Sequence, residues 1–134
     1  MRDASIADQD KAKFLEFAIQ QIELQRKRFP SDVRAIAFLA SLYSNAGRPE
    51  DAIRAADEAL AISPKRQQFL FIKAEAYLSL NQGDRAIEIL EAAHNLAPEY
   101  PEGTINFATV LILAGKGDQA EALLEKSFGS KVIA

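Results

Sequence analysis

The stretch SDVRAIAFLASLYSNAGRPEDAIRAADEALAISP, residues 31–64, decides the fold, because its landmarks return twice further along the chain. Pro30, Pro64 and Pro98 stand 34 residues apart. Ala40, Ala74 and Ala108 lie ten residues after these prolines, and Ala52, Ala86 and Ala120 lie twenty-two after. Ala59, Ala93 and Ser127 lie twenty-nine after. Four columns in one phase mark a tandem repeat, in which each unit buries its apolar face only by stacking on the next.

Each unit reads as two helices. The first runs from about Val33 to Ala46, with Ser31 or Asp32 as its N-cap. Gly47 ends it, because glycine takes the left-handed conformation at no steric cost. The second begins near Pro49, which suits a first helical turn. It continues through Ala52, Ile53, Ala56, Ala59 and Leu60 to Ile62, at spacings of three and four that share one face. Asn81 and Gly115 stand where Gly47 does, and asparagine tolerates the left-handed region next best. Small residues in fixed columns let two helix backbones approach closely.

Outward from this unit, residues 5 to 29 read as one helix without a breaker, with Ile6, Phe14, Leu15, Ala18, Ile19 and Ile22 as its apolar stripe. Ala18 precedes Pro30 by twelve residues, as Ala52 precedes Pro64. The helix therefore reads as the second helix of a preceding unit, used as an N-terminal cap, since a terminal unit otherwise shows its stacking face to water. The expected division is a capping helix at 1–30, units at 31–64 and 65–98, and a third unit at 99–134. The last helix should end near Phe128 with Gly129 as its stop, and Lys131-Val132-Ile133-Ala134 trails off. No further polar helix covers the third unit. Either the natural chain continues, or this face meets another copy or another chain.

Bulk properties narrow the function. The 134 residues suffice for one continuous core, and 49% hydrophobic with 26% charged residues is ordinary for a soluble globular chain. A net charge of -3 and a pI near 5.2 argue against nucleic acid, whose phosphates demand clustered Lys and Arg. The one basic run, Arg26-Lys27-Arg28, falls at a helix C-terminus, where cations meet the negative end of the dipole. The absence of cysteine excludes disulfides, thiolate metal sites and cysteine nucleophiles. Met1-Arg2-Asp3-Ala4-Ser5 leads into no apolar signal core. The longest apolar run, from Phe107 to Ala114 and interrupted by Thr109, falls far short of the roughly 18 residues a bilayer requires. The expectation is a soluble segment that does not itself insert into a membrane.

The period of 34, with small residues at repeat positions 8, 20 and 27 and proline at 32, resembles the tetratricopeptide repeat (TPR) family. Tyr43 and Tyr77 match its aromatic position 11, where the third unit has Leu111. At the large position 4 stand Ile36, Leu70 and then Thr104, so the third unit departs most. The resemblance covers roughly residues 31 to 128. It implies an all-α, right-handed α-α superhelix of about seven helices serving as a protein-interaction scaffold. Fold alone does not define a partner.

Chemistry is sparse. His94, the only histidine, falls where Leu60 and Phe128 stand in the other units and reads as a packing residue, with no second histidine or cysteine to share a metal. Gly115-Lys116-Gly117-Asp118 lacks the spacing of a phosphate loop and reads as an inter-helix turn. Asp57, Glu58, Glu88, Glu91 and Glu125 fall on outer positions of second helices. No catalytic residue, metal site or cofactor is expected.

The TPR resemblance implies that first helices line a concave groove through positions 2, 5, 9, 12 and 13. Here those are Arg34, Ala37, Ser41, Ser44 and Asn45 in the first unit. The second unit supplies Gln68, Phe71, Glu75, Leu78 and Ser79, and the third supplies Glu102, Ile105, Thr109, Ile112 and Leu113. The positions with which TPR modules clamp a chaperone's C-terminal carboxylate hold Ala37, Ser41, Ile72, Glu102 and Asn106, so that clamp is absent. What remains is an apolar strip of Phe71, Leu78, Ile105 and Ile112, large enough to mark an interaction surface. Either it receives a peptide from a protein partner, a helix being one form that fits, or the short array covers the strip with itself or with the N-terminal helix. Self-association through the uncovered C-terminal end is the other expected partnership.

A second resemblance concerns a parent protein. Asp32-Val33-Arg34, the run Phe38-Leu39-Ala40-Ser41-Leu42-Tyr43-Ser44, and Ser63-Pro64-Lys65-Arg66-Gln67-Gln68 are similar to TPR tails of bacterial O-antigen-ligase-like membrane proteins. On that reading the chain is the soluble tail of a glycan-handling protein, tethered to a membrane through another region.

Overall fold

The computed structural model describes residues 4–129; the trailing Lys131-Val132-Ile133-Ala134, the start Met1-Arg2-Asp3 and the side chain of Ile6 lie outside the described set. Among the described residues are seven helices and no strand: α1 (Ala4–Arg28), α2 (Val33–Asn45), α3 (Pro49–Ile62), α4 (Gln67–Ser79), α5 (Gly83–Leu96), α6 (Pro101–Leu113) and α7 (Gly117–Phe128).

Local chemistry sets each boundary. Asp32, rather than Ser31, caps α2: its backbone is extended and its Oδ1 accepts the Arg34 N–H at 3.0 Å. Each first helix then ends in the same kind of hydrogen bond. The Arg48 N–H reaches the Tyr43 carbonyl at 2.9 Å, that of Gln82 reaches Tyr77 at 2.9 Å, and that of Lys116 reaches Leu111 at 2.8 Å. The bonds close because Gly47, Asn81 and Gly115 adopt φ of 71°, 59° and 80°. Asn81 is the one non-glycine residue at positive φ among the described residues. Pro49 and Pro101 open α3 and α6, where their missing N–H costs nothing.

Consecutive helices pack in a right-handed solenoid. The first two alanine columns are buried throughout: Ala40, Ala52, Ala74, Ala86, Ala108 and Ala120. The core is a series of seams. Ile19 with Leu39 and Leu42 joins α1 to α2, and Ile36, Ala56, Phe69 and Ile72 join α2, α3 and α4. Leu90, Phe107, Val110 and Leu111 centre the seam shared by α4 to α7. Burying Ile19, the anchor of α1, contributes roughly 1.5–3 kcal/mol.

The first helices α2, α4 and α6 touch one another in order, whereas α3, α5 and α7 share no such contact among the described residues. The array therefore bends with its first helices on the inside, which makes their free faces concave.

One expectation changes at the N-terminal end. Leu15, Ala18, Ile19 and Ile22 pack on α2 as the stripe requires, but Phe14 is 68% exposed. At 100° per residue it lies about a quarter-turn from the centre of that stripe, where no helix packs. At the other end α7 buries only Ala120 among the described residues, and Ser127, in the column of Ala59 and Ala93, is exposed, with no later helix among the described residues to pack on it.

Candidate interaction groove

The concave face is an array of rows, one residue from each first helix. Arg34, Gln68 and Glu102 form an exposed row at its rim. In the next row Ala37 and Phe71 are half-buried and Ile105 is 53% exposed. Ser41, Glu75 and Thr109 form a half-buried central row. Beyond it Ser44 is exposed, Leu78 is half-buried and Ile112 is 56% exposed, and then come exposed Asn45, Ser79 and Leu113.

The expected four-residue apolar strip is thus divided. Phe71 and Leu78 pack against the buried seam between α4 and α6, so they support the groove floor more than they line it. Nothing follows α6 on the inner side among the described residues, which leaves Ile105 and Ile112 open. The N-terminal helix does not close the strip, because α1 packs on α2 and, among the described residues, on neither α4 nor α6.

The polar members differ in what they can offer a ligand. The Thr109 hydroxyl donates to the Ile105 carbonyl at 2.8 Å and the Ser79 hydroxyl to the Glu75 carbonyl at 3.3 Å, so both are spent on their own helices. Glu102 accepts from the Tyr100 hydroxyl at 2.7 Å, and the Arg34 guanidinium lies 3.7 Å from Asp32. Glu75 is different. No cation of the chain pairs with it among the described residues, and burial pushes its carboxyl pKa up.

Phe38 was not among the groove positions expected from the sequence. It is 57% exposed and, with Arg34, Ala37, Ser41, Gln68 and Phe69, lines an open depression of about 360 Å³ between α2 and α4. The available signal was its repeat position, which also holds Ile72 and Asn106 and belongs to the clamp pattern already considered.

Elsewhere the charged groups answer to structure. The Tyr43 hydroxyl donates to Glu23 at 2.9 Å, and Arg48 stacks 4.7 Å above the Tyr43 ring. Arg48 also donates to Asp51 at 2.7 Å and lies 3.8 Å from Glu16, while Arg26 pairs with Glu58. This network fastens α1 to α2 and α3. His94, half-buried, sits between α5 and α6, with its ring 5.8 Å from that of Phe107.

Paired helices stacked around a concave inner layer define a helical-repeat scaffold. The chain belongs to the tetratricopeptide repeat family, whose profile matches residues 45–93 and again 77–127. No curated protein matches at a significant level. Among solved structures, the chain is similar to a crystal structure of MamA, with a TM-score of 0.70 at 22% identity over 98% of this chain and 77% of that one. A thermophilic TPR protein of Thermus thermophilus also gives 0.70 at 22% identity, covering 90% of this chain and 68% of that one. MamA from Desulfovibrio magneticus gives 0.72 at 15% identity, over 92% and 70%. At such identities the likeness establishes the fold, and the fold is consistent with a protein-interaction scaffold. No helix among the described residues is long and apolar enough to cross a membrane.

Proposed function

We propose that the chain is a non-catalytic scaffold whose concave face holds a peptide of a partner protein through apolar side chains and one carboxylate, Glu75. The observation that carries this reading is the exposure of Ile105 and Ile112 on α6, seven residues apart and so on one face. Exposed isoleucines aligned in this way favour an apolar partner segment. Glu75 stands between them and Ser41 in the central row, and a Lys or Arg of the peptide would relieve its desolvated carboxylate.

The face of α7 that no helix covers among the described residues is the weaker seat for a partner or a second copy. There α7 aligns Glu121 and Glu125 with half-buried Leu124 and with Phe128. The reading as a tail of a membrane-bound glycan-handling protein rests on phrases of sequence alone and carries no part of the proposal.

Selection from a random dodecapeptide library on the immobilised chain tests the groove. Enriched peptides should combine aliphatic or aromatic residues with Lys or Arg, and Ile105→Glu with Ile112→Glu should weaken them at least about tenfold. Glu75→Lys should abolish the preference for cations. Peptides that bind all variants equally would overturn the assignment.

A further inference from the structure

The outer face of α1 carries a second apolar stripe. Phe14, Phe17 and Leu24 are 68%, 60% and 55% exposed, although α1 buries a different face on α2. In the 34-residue register, Gln21 and Gln25 stand where α3 has Ala55 and Ala59. Those alanines are buried against their neighbouring helices, whereas the two glutamines are exposed. Phe14, Phe17 and Leu24 flank these glutamines and stand where α3 and its N-cap have Arg48, Asp51 and Glu58, and among the described residues α1 packs on α2 alone. Three large exposed apolar groups at positions that carry charge in α3 form an interaction surface.

The stripe is close to self-complementary. Exposed Asp10, Phe14, Phe17, Gln21, Leu24 and Arg28 follow one another at steps of three and four and lie on one side of the helix. Their order is nearly symmetric about Ile19, with Asp10 matched to Arg28, Phe14 to Leu24 and Phe17 to Gln21. We infer that this face binds a second copy of the chain, the two α1 helices lying antiparallel about a two-fold axis near Ile19.

In that arrangement Asp10 faces Arg28 of the partner subunit, and the same pair recurs by symmetry at the far end, about 27 Å away along the helix at 1.5 Å per residue. Between them Phe14 meets Leu24 of the partner subunit, and the two Phe17 rings flank the axis. A parallel pairing would set Asp10 on Asp10 and Arg28 on Arg28, so charge selects the antiparallel one. Asp10 already has an interaction within its own chain, yet its side remains exposed. The inference does not depend on the groove, which belongs to α2, α4 and α6.

Sedimentation equilibrium of the full chain between about 1 and 100 μM decides it. A 14.7 kDa subunit should approach a dimer mass of about 29 kDa. Phe17→Glu should weaken dimerisation at least about tenfold, with unchanged helical circular dichroism because Phe17 is exposed. Asp10→Arg and Arg28→Asp should each weaken it, and the double variant should recover it. A chain monomeric at 100 μM, or a dimer indifferent to Phe17→Glu, would overturn the inference by assigning the face to another occupant or the dimer to another face. A double variant no tighter than the singles would refute the antiparallel register.

Discussion

Thr104 Oγ1 lies 3.1 Å from His94 Nδ1, joining α5 to α6 at the point where the third repeat departs most from the other two. The same hydroxyl donates to the Tyr100 carbonyl at 3.3 Å. The histidine and threonine side chains thus share a hydrogen bond whose donor is set by the tautomer of the ring. Two departures from the repeat pattern therefore explain each other: a histidine at an apolar position, and a threonine at the large position that faces it.

That pairing should be visible as coupling. Thr104→Val keeps the shape of a fully buried side chain but leaves the imidazole without its partner, and should cost about 1–3 kcal/mol in urea unfolding. His94→Leu combined with Thr104→Val replaces both partners with apolar groups and should recover most of that loss. Additive effects in the double-mutant cycle would show that the contact contributes nothing of its own.

The small columns should tolerate enlargement only where the position is exposed. Ala74 is fully buried at the middle of the array, and Ala74→Leu should cost about 1–3 kcal/mol by forcing α4 away from its neighbours. Ser127 holds a position of the same kind but is exposed, so Ser127→Leu should change stability by no more than about 0.5 kcal/mol. Thermal unfolding of both variants checks the contrast.

The attachment of α1 should weaken in alkali. Burial, helped by the hydrogen bond to Glu23, pushes the Tyr43 hydroxyl up to about 12 from its ordinary 10.0. Folding therefore favours the protonated phenol: the contribution is complete below about pH 10 and is lost as pH rises towards 12. Tyr43→Phe does not titrate, so the stability advantage of the parent chain over this variant should shrink across that window. Urea midpoints at pH 9 and pH 11 measure it. A constant difference would mean that the phenol carries no such linkage.

Much of the architecture was legible because it depends on local rules. Gly47, Asn81 and Gly115 can hold positive φ where a larger or branched residue would strain, so the ends of α2, α4 and α6 were readable one residue at a time. Pro49 and the alanine columns gave the phase of the second helices in the same way. The groove was legible only as a set of positions. Residue type told that Phe71, Leu78, Ile105 and Ile112 are apolar, but not that α6 covers the first two and leaves the others open. Phe14 shows the same limit: it belongs to an apolar periodicity, yet the periodicity cannot say which flank of it receives a neighbour.

The repeat, its seven helices and their turns were thus determined by sequence alone, since capping, backbone sterics and helical period act within a few residues. Tertiary structure alone decided which apolar side chains remain exposed, that Glu75 is desolvated with no cation beside it among the described residues, and that Thr104 answers His94. Each of these depends on which helix lies alongside, and burial is a property of the packed neighbour rather than of the residue itself.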